Sequence, residues 1–98
     1  QWENSQARYN KLLSDLEELI KATEETLKSY EALNMSFAYD LYNEEMNEIM
    51  EETGCMEAYA ENFKQAHRSL SKKLKHLKKS RHEVQFQMIM DTINQPPN

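Results

Sequence analysis

The stretch WENSQARYNKLLSDLEELIKATEETLKSYEAL, residues 2–33, decides the fold because its apolar side chains recur at helical spacing. One series repeats every seven positions and passes the end of the stretch: Trp2, Tyr9, Leu16, Thr23, Tyr30 and Phe37. A second core position is filled by Leu12, Leu19 and Leu33, with Leu13, Ile20 and Leu27 widening the stripe beside it. This is the pattern of the apolar face of a bundle helix. It predicts a helix over about residues 3–33.

A second seven-residue repeat follows, displaced by two positions from the first. One core position holds Tyr39, Met46, Thr53, Ala60, His67, Leu74, Arg81 and Met88, and the other holds Tyr42, Ile49, Met56, Phe63, Leu70, Leu77, Val84 and Asp91. The phase break falls at residues 34–36, where Asn34 tolerates a left-handed helix end and Ser36 is a good N-cap. We therefore predict a turn or sharp kink there. The two repeats predict that six side chains are largely buried: Leu16, Leu19, Met46, Phe63, Leu70 and Leu77.

The single glycine, Gly54, leaves two alternatives open for the rest of the chain. Glycine commonly stops a helix, which gives helices over about residues 37–53 and 55–93. The heptad register, however, passes through Gly54 unbroken, which favours one continuous helix over about residues 37–93. Pro96 and Pro97 are expected to end the last helix at about Asn94. Both alternatives predict an all-α, coiled-coil-like fold, an elongated antiparallel helical bundle or hairpin.

The composition fits one helical domain over residues 1–98. Charged residues make up 30% of the chain and mean hydropathy is −0.93, values typical of amphipathic helices with wide polar faces. One glycine and two adjacent prolines exclude turn-rich β structure and a glycine-rich phosphate loop. Because the first residue is Gln1, we expect the domain to be part of a longer protein. The lone Cys55, the lack of a long apolar run and the lack of a leader predict a cytoplasmic location.

Charge is divided unevenly along the chain. Residues 1–62 carry four basic and fifteen acidic side chains, a net of −11, and residues 63–98 carry eight basic and two acidic ones, a net of +6. Five cations recur at helical spacing and define a basic face: Lys64, Arg68, Lys72, Lys75 and Lys79. We interpret this face as flanking an acidic helix of the same chain or of a second copy. The alternatives are an anionic membrane surface and, less favoured because residues 72–81 lack aromatics, nucleic acid.

The sequence contains no constellation typical of catalysis, a cofactor or a metal. None of the three histidines has a glutamate three positions before it, and His82-Glu83 lacks the second histidine of a zinc-protease motif. His67 falls on the core stripe, where a structural role, such as pairing with a carboxylate, is expected. Cys55 has no neighbouring base, and the acidic run after Asn43 lacks calcium-loop spacing. We therefore predict a protein that is not an enzyme.

The end of the last predicted helix is apolar on more than one face, which predicts a chain–chain contact there. The residues of this expected contact are Val84, Phe86, Met88, Ile89, Met90 and Ile93. Met50 and Met90 fall off the core stripe and are expected to face a partner. These features predict a scaffold that binds other helical proteins and forms at least a homodimer. The long helices with basic stripes resemble those of BAR-type membrane-curving dimers, which implies peripheral membrane binding as the alternative; the resemblance carries no residue assignments.

Overall fold

The computed structural model describes residues 2–94 and is all-α, as the repeats predicted. Three helices follow one another along the chain: α1 spans Trp2–Asp40, α2 spans Glu44–Thr53 and α3 spans Cys55–Ile93. No strand occurs among the described residues. The chain divides into two compact units, which are taken separately below. Unit 1 joins residues 2–23 with residues 73–94, and unit 2 is formed by residues 24–72.

Unit 1 is an antiparallel pair made by the start of α1 and the end of α3. The Gln6 amide donates to the Thr92 hydroxyl at 3.3 Å, and the Tyr9 hydroxyl donates to the Asp91 carboxylate. Between two and three helical turns further along, Arg81 pairs with Glu17 at 3.0 Å. Because the α3 partners come earlier in the chain as the α1 residues come later, the two helices run in opposite directions.

Unit 2 contains the end of α1, all of α2 and the start of α3. The rings of Phe37 and Tyr59 stack with centroids 3.8 Å apart and an angle of 6° between their planes. Glu31 lies 3.9 Å from the His67 ring. The pairing order is again antiparallel. The prediction of an antiparallel helical arrangement is therefore confirmed within each unit.

The turn predicted at residues 34–36 is wrong, because α1 continues through these positions to Asp40. The cost of keeping Asn34 and Ser36 inside a helix is only a few tenths of a kcal/mol each. The chain turns instead at residues 41–43, where Asn43 caps α2. Its backbone is extended (φ −92°, ψ 120°), and its side chain accepts a hydrogen bond from the Met46 N–H at 3.1 Å. The Asn47 side chain also donates to the Leu41 carbonyl at 3.0 Å, which holds the turn against α2.

Gly54 separates α2 from α3, so the alternative with a helix break is the one observed. Its φ of 67° and ψ of 13° are left-handed, and its N–H donates to the Glu51 carbonyl at 3.4 Å. This conformation is a common C-terminal cap, and glycine adopts it without a steric cost. Helix α3 then covers the predicted span of residues 55–93. The Trp2 side chain, Pro96 and Pro97 lie outside the described part of the chain.

Within the described residues, only Ile20 and Met50 are buried, with 3% and 4% of their surface exposed. Four of the six predicted core residues are half-buried: Leu16, Phe63, Leu70 and Leu77. The other two predictions are wrong, since Leu19 is 52% exposed and Met46 is also exposed. Met50 was expected to face a partner, and this too is wrong. Two packed helices cover only part of each other's apolar stripe, so most core positions remain half-buried.

The stretch around the turn departs furthest from the predicted core. Tyr39, Tyr42 and Ile49 occupy heptad core positions, yet all three are exposed, Tyr42 to 90%. Gly54 interrupts the helix between α2 and α3, so the register that places α3 correctly no longer applies to α2. The face of α2 that is covered is the one with Met50 and the half-buried Asn47.

Candidate partner-binding surfaces

The last turns of α3 carry apolar side chains on two opposite faces. Val84 and Met88 are half-buried, and Asp91 contacts Tyr9 of α1, so these three define the inward face. A helix turns by 100° per residue, which places Phe86 about 200° away from Val84. Phe86 is 58% exposed, and Ile89 and Ile93, at three and seven positions further, are exposed as well. We call Phe86, Ile89 and Ile93 the α3 outer patch.

The remaining residues of the predicted contact are divided between the two faces of α3. Met90 is half-buried and lies beside the α3 outer patch, four positions after Phe86. Val84 and Met88 turn toward α1. Of the six residues expected to meet a partner, the three of the α3 outer patch are therefore the most accessible.

All five cations of the predicted basic face are exposed. Lys75 and Lys79 belong to unit 1, and Lys64, Arg68 and Lys72 belong to unit 2. Within residues 2–94, none of these five makes an ion pair. The acidic α1 and the basic α3 do lie side by side within each unit, as interpreted, and Arg81–Glu17 is one ion pair between them. Arg81, which points inward at a core position, is the cation that reaches Glu17.

Lys75 and Lys79 lie on the same side of α3 as the outer patch. Lys79 precedes Phe86 by seven positions, so the two residues are only about 20° apart around the helix. Lys75, four positions earlier, stays on this side. In unit 1, the outward side of α3 is thus cationic first and apolar toward its end.

In unit 1, a small polar cluster of Tyr9, Gln87 and Asp91 links α1 and α3. Asp91 accepts hydrogen bonds from the Tyr9 hydroxyl and from the Gln87 amide, the latter at 3.0 Å. These two bonds hold the pKa of Asp91 below its usual value. The same contact raises the pKa of Tyr9, through the hydrogen bond first, then partial burial and the charge of Asp91. The pair is favourable when Asp91 is ionised and Tyr9 is neutral.

This cluster predicts a stability contribution that depends on pH. The pKa of Asp91 is lowered in the folded chain. Its contribution to stability is therefore present above about pH 4 and is lost as pH falls through the folded-state pKa. The pKa of Tyr9 is raised in the folded chain. Its contribution to stability is therefore present below about pH 10 and is lost as pH rises through the folded-state pKa. We expect Tyr9→Phe to destabilise the chain most near pH 7 and progressively less toward both extremes, measured by urea unfolding.

Tyr42→Phe is the matched control, since this ring is exposed at the turn, and we expect no pH-dependent difference for it. A Tyr9→Phe effect of constant size from pH 3 to pH 11 would show that the cluster contributes only packing.

A row of aromatic rings holds unit 2 together. Tyr59 stacks between Phe37 and Phe63, and the Phe63 ring contacts the His67 ring with centroids 5.6 Å apart. The Tyr59 hydroxyl is buried and has no hydrogen-bond partner among the residues that the structure describes, and burial raises its pKa. His67 lies at a core position beside Glu31, which fits the structural role expected for it.

The exposed flank of α2 combines apolar and acidic side chains. Met46 and Ile49 are three positions apart and lie on one side of the helix, and Tyr42 is exposed in the turn that precedes it. Beside them, Glu45, Glu48 and Glu52 form a second row, and all three are exposed. Tyr42 and Glu48 also line a surface groove together with Leu41, Glu44 and Asn47. Sequence reasoning assigned the apolar residues of this flank to the core, so the surface was missed.

The described residues contain no group of three or more His, Cys, Asp or Glu side chains that could hold a metal ion. None of the helices in residues 2–94 combines the length and apolar character needed to cross a membrane. Cys55 is half-buried at the first position of α3. No family model matches the chain, and no curated protein or solved structure shows significant similarity to it.

Proposed function

We propose that the chain is a non-enzymatic helical scaffold that binds other helices, a second copy of itself among them, through the end of α3. The observation that supports this proposal is the second apolar face of that helix. Helix α1 covers the face with Val84 and Met88, while Phe86, Ile89 and Ile93 have no cover within the described chain.

The spacing of the α3 outer patch suits recognition by another helix. Its members recur at three and four residues, the spacing with which an amphipathic helix enters an apolar groove or joins a bundle. Contiguous exposed apolar side chains usually mark interaction sites. The partly covered core supports the same conclusion, because a further helix would bury more of the half-exposed stripe.

Self-association is tested by replacing Phe86 and Met90 with glutamate in the same chain. A buried charge without a partner opposes assembly strongly. We expect light scattering to give the mass of an assembly for the unmodified chain and the mass of one chain for this variant, with the helical circular dichroism signal preserved.

Gln85→Glu with Ser69→Glu is the matched control, since it adds the same charge at exposed positions outside the α3 outer patch. This control is expected to remain assembled. An unmodified chain that stays monomeric at high micromolar concentration would overturn self-association and leave the patch as a docking site for a different protein.

A second candidate function is peripheral membrane binding, favoured by the exposed Lys75 and Lys79 next to the α3 outer patch. Cations beside apolar side chains are typical of helices that lie on anionic bilayers, and each basic residue near the surface contributes about 1 kcal/mol. Sedimentation with phosphatidylserine vesicles separates the two functions. Binding that is lost in Lys72→Glu with Lys75→Glu would support the membrane function, and no co-sedimentation of the unmodified chain would exclude it.

A further inference from the structure

In unit 1, α3 carries a second row of side chains at heptad spacing, on the side opposite the inward row of Val84 and Met88. Its six members follow one another at alternating intervals of four and three residues, and all six are exposed. At 100° per residue they stay within about 80° of one another around the helix. We call this set the α3 outer row: Lys75, Lys79, His82, Phe86, Ile89 and Ile93.

The α3 outer row is narrow, which favours a helix as its occupant. Positions that alternate by four and three residues form the seam along which one helix packs against another. A helix that lies on a bilayer presents a broader apolar face. Here Gln85 and Glu83 border the row on its two sides, and Met90 is the only apolar side chain beside it. The carboxylate of Glu83 is also unfavourable next to an anionic lipid surface.

The α3 outer row is divided along the helix axis rather than around it. Lys75 and Lys79 occupy its first half, and neither makes an ion pair within residues 2–94. The second half is the apolar α3 outer patch, and the whole row is about 27 Å long. Complementary charge determines which helix pairs with which, and in what register. The matching occupant is therefore acidic over one half of its contact face and apolar over the other.

A second copy of this chain does not offer such a helix. If two α3 helices pair in parallel along the row, Lys75 and Lys79 face the same lysines of the other copy. If they pair antiparallel along the row, the lysines face apolar side chains and remain without opposite charges. The exposed row of α1 in unit 1 places Asp15 between Leu12 and Leu19, so its charge is not divided into halves. Helix α2 has ten residues, about 15 Å, and is too short to cover the row.

We propose that the α3 outer row binds a helix of a different protein, whose contact face carries carboxylates opposite Lys75 and Lys79 and apolar side chains opposite the α3 outer patch. This inference rests on the proposed binding of helices through the end of α3, and it names the chemistry of the partner. Self-association through the same helix end uses only the apolar half of the row.

Synthetic helical peptides of three heptads are the probes for the full chain. The acidic peptide has glutamate at the contact positions of one half and leucine at those of the other half. The neutral peptide has glutamine in place of these glutamates and is otherwise identical. Both are made with the two halves in either order, because the row fits a parallel or an antiparallel helix. In one of the two orders, we expect fluorescence anisotropy to show about tenfold tighter binding of the acidic peptide at low salt.

Lys75→Glu with Lys79→Glu reverses the cationic half of the row. This variant is expected to lose the preference for the acidic peptide and to bind more tightly a peptide that has lysine in place of the glutamates. Lys21→Glu with Lys28→Glu is the matched control, because it makes the same charge change at exposed positions of α1. The control is expected to keep the preference of the unmodified chain. Circular dichroism checks that both variants stay helical.

The outcomes separate this inference from the proposed function. Equal affinity for the acidic and neutral peptides, or a preference that survives the reversal of Lys75 and Lys79, would overturn the acidic partner while helix binding through α3 stands. A chain that self-associates but binds none of the peptides would overturn it as well. A chain that binds no peptide and stays monomeric would overturn both proposals. Binding to phosphatidylserine vesicles without binding to the acidic peptide would assign the row to a membrane instead.

Discussion

Replacing Ile20 with alanine is expected to lower the free energy of unfolding by about 2–4 kcal/mol, the range for truncating a buried aliphatic side chain. Ile20 is the one fully covered aliphatic side chain of the described part of unit 1, and it has lost nearly all of its contact with water. Leu19→Ala, at the neighbouring position, is the matched control. Since Leu19 is half exposed, we expect it to cost about 0.5 kcal/mol or less.

Urea unfolding followed by circular dichroism measures both values on the same chain. The comparison separates the two rows of apolar residues on α1, one of which faces α3. Equal losses for Ile20→Ala and Leu19→Ala would mean that a partner covers the Leu19 row in solution. A larger loss for Leu19→Ala would contradict the inward face that the structure assigns to α1.

Met50→Ala is expected to have the largest effect in unit 2, about 2–4 kcal/mol. Met50 is the buried residue of α2, and a ten-residue helix is too short to be stable without tertiary packing. Its loss should therefore release α2 as well as create a cavity. Met35→Ala makes the same chemical change at an exposed site of α1 and is expected to cost about 0.5 kcal/mol or less.

The loss of α2 can be measured separately from global stability. Hydrogen exchange of the amides of α2 is expected to accelerate in Met50→Ala under conditions where α1 and α3 stay protected. Unchanged exchange in α2 would show that its caps, rather than Met50, hold it in place.

The structure of α3 is the part that could be predicted best from the sequence. Met56, Phe63 and Leu70 are half-buried at the positions that the seven-residue repeat indicated, and the helix has the predicted span. A long helix without internal breakers keeps one register, so spacing alone identifies its inward face. The exposure of Phe86 and Ile89 followed from the same register, because both fall off the repeat.

The inward face of α1 was harder to predict because three rows of apolar residues compete for two core positions. The row with Leu12 and Leu19 and the row with Leu13 and Ile20 are adjacent and equally apolar. Which row is covered depends on the side from which α3 approaches, and this is a property of the tertiary pairing. The structure covers the row with Ile20.

The acidic surface of α2 was missed because one register was carried through Gly54, and the turn was also placed too early. Asn43 followed by Glu44 and Glu45 is a helix start signal, an N-cap with acidic residues in the first turn, and it outweighs the weaker signal at Asn34. A register carried from α3 back through Gly54 assigns Tyr42, Met46 and Ile49 to a core. Periodicity identifies rows of apolar residues, but it does not show whether they are buried by the same chain or by a partner.

The spacing of contacts along the chain determines the order in which the units fold. The stacked rings of Phe37 and Tyr59 lie close to the turn, whereas Tyr9 and Asp91 are 82 residues apart. Closing the longer loop first costs roughly 1 kcal/mol more in chain entropy. Once unit 2 has formed, that loop is already shortened, and each further turn of unit 1 adds contacts at little additional entropy. We therefore expect the nucleus at the Phe37–Tyr59 stack, with pairing spreading from there toward the chain ends.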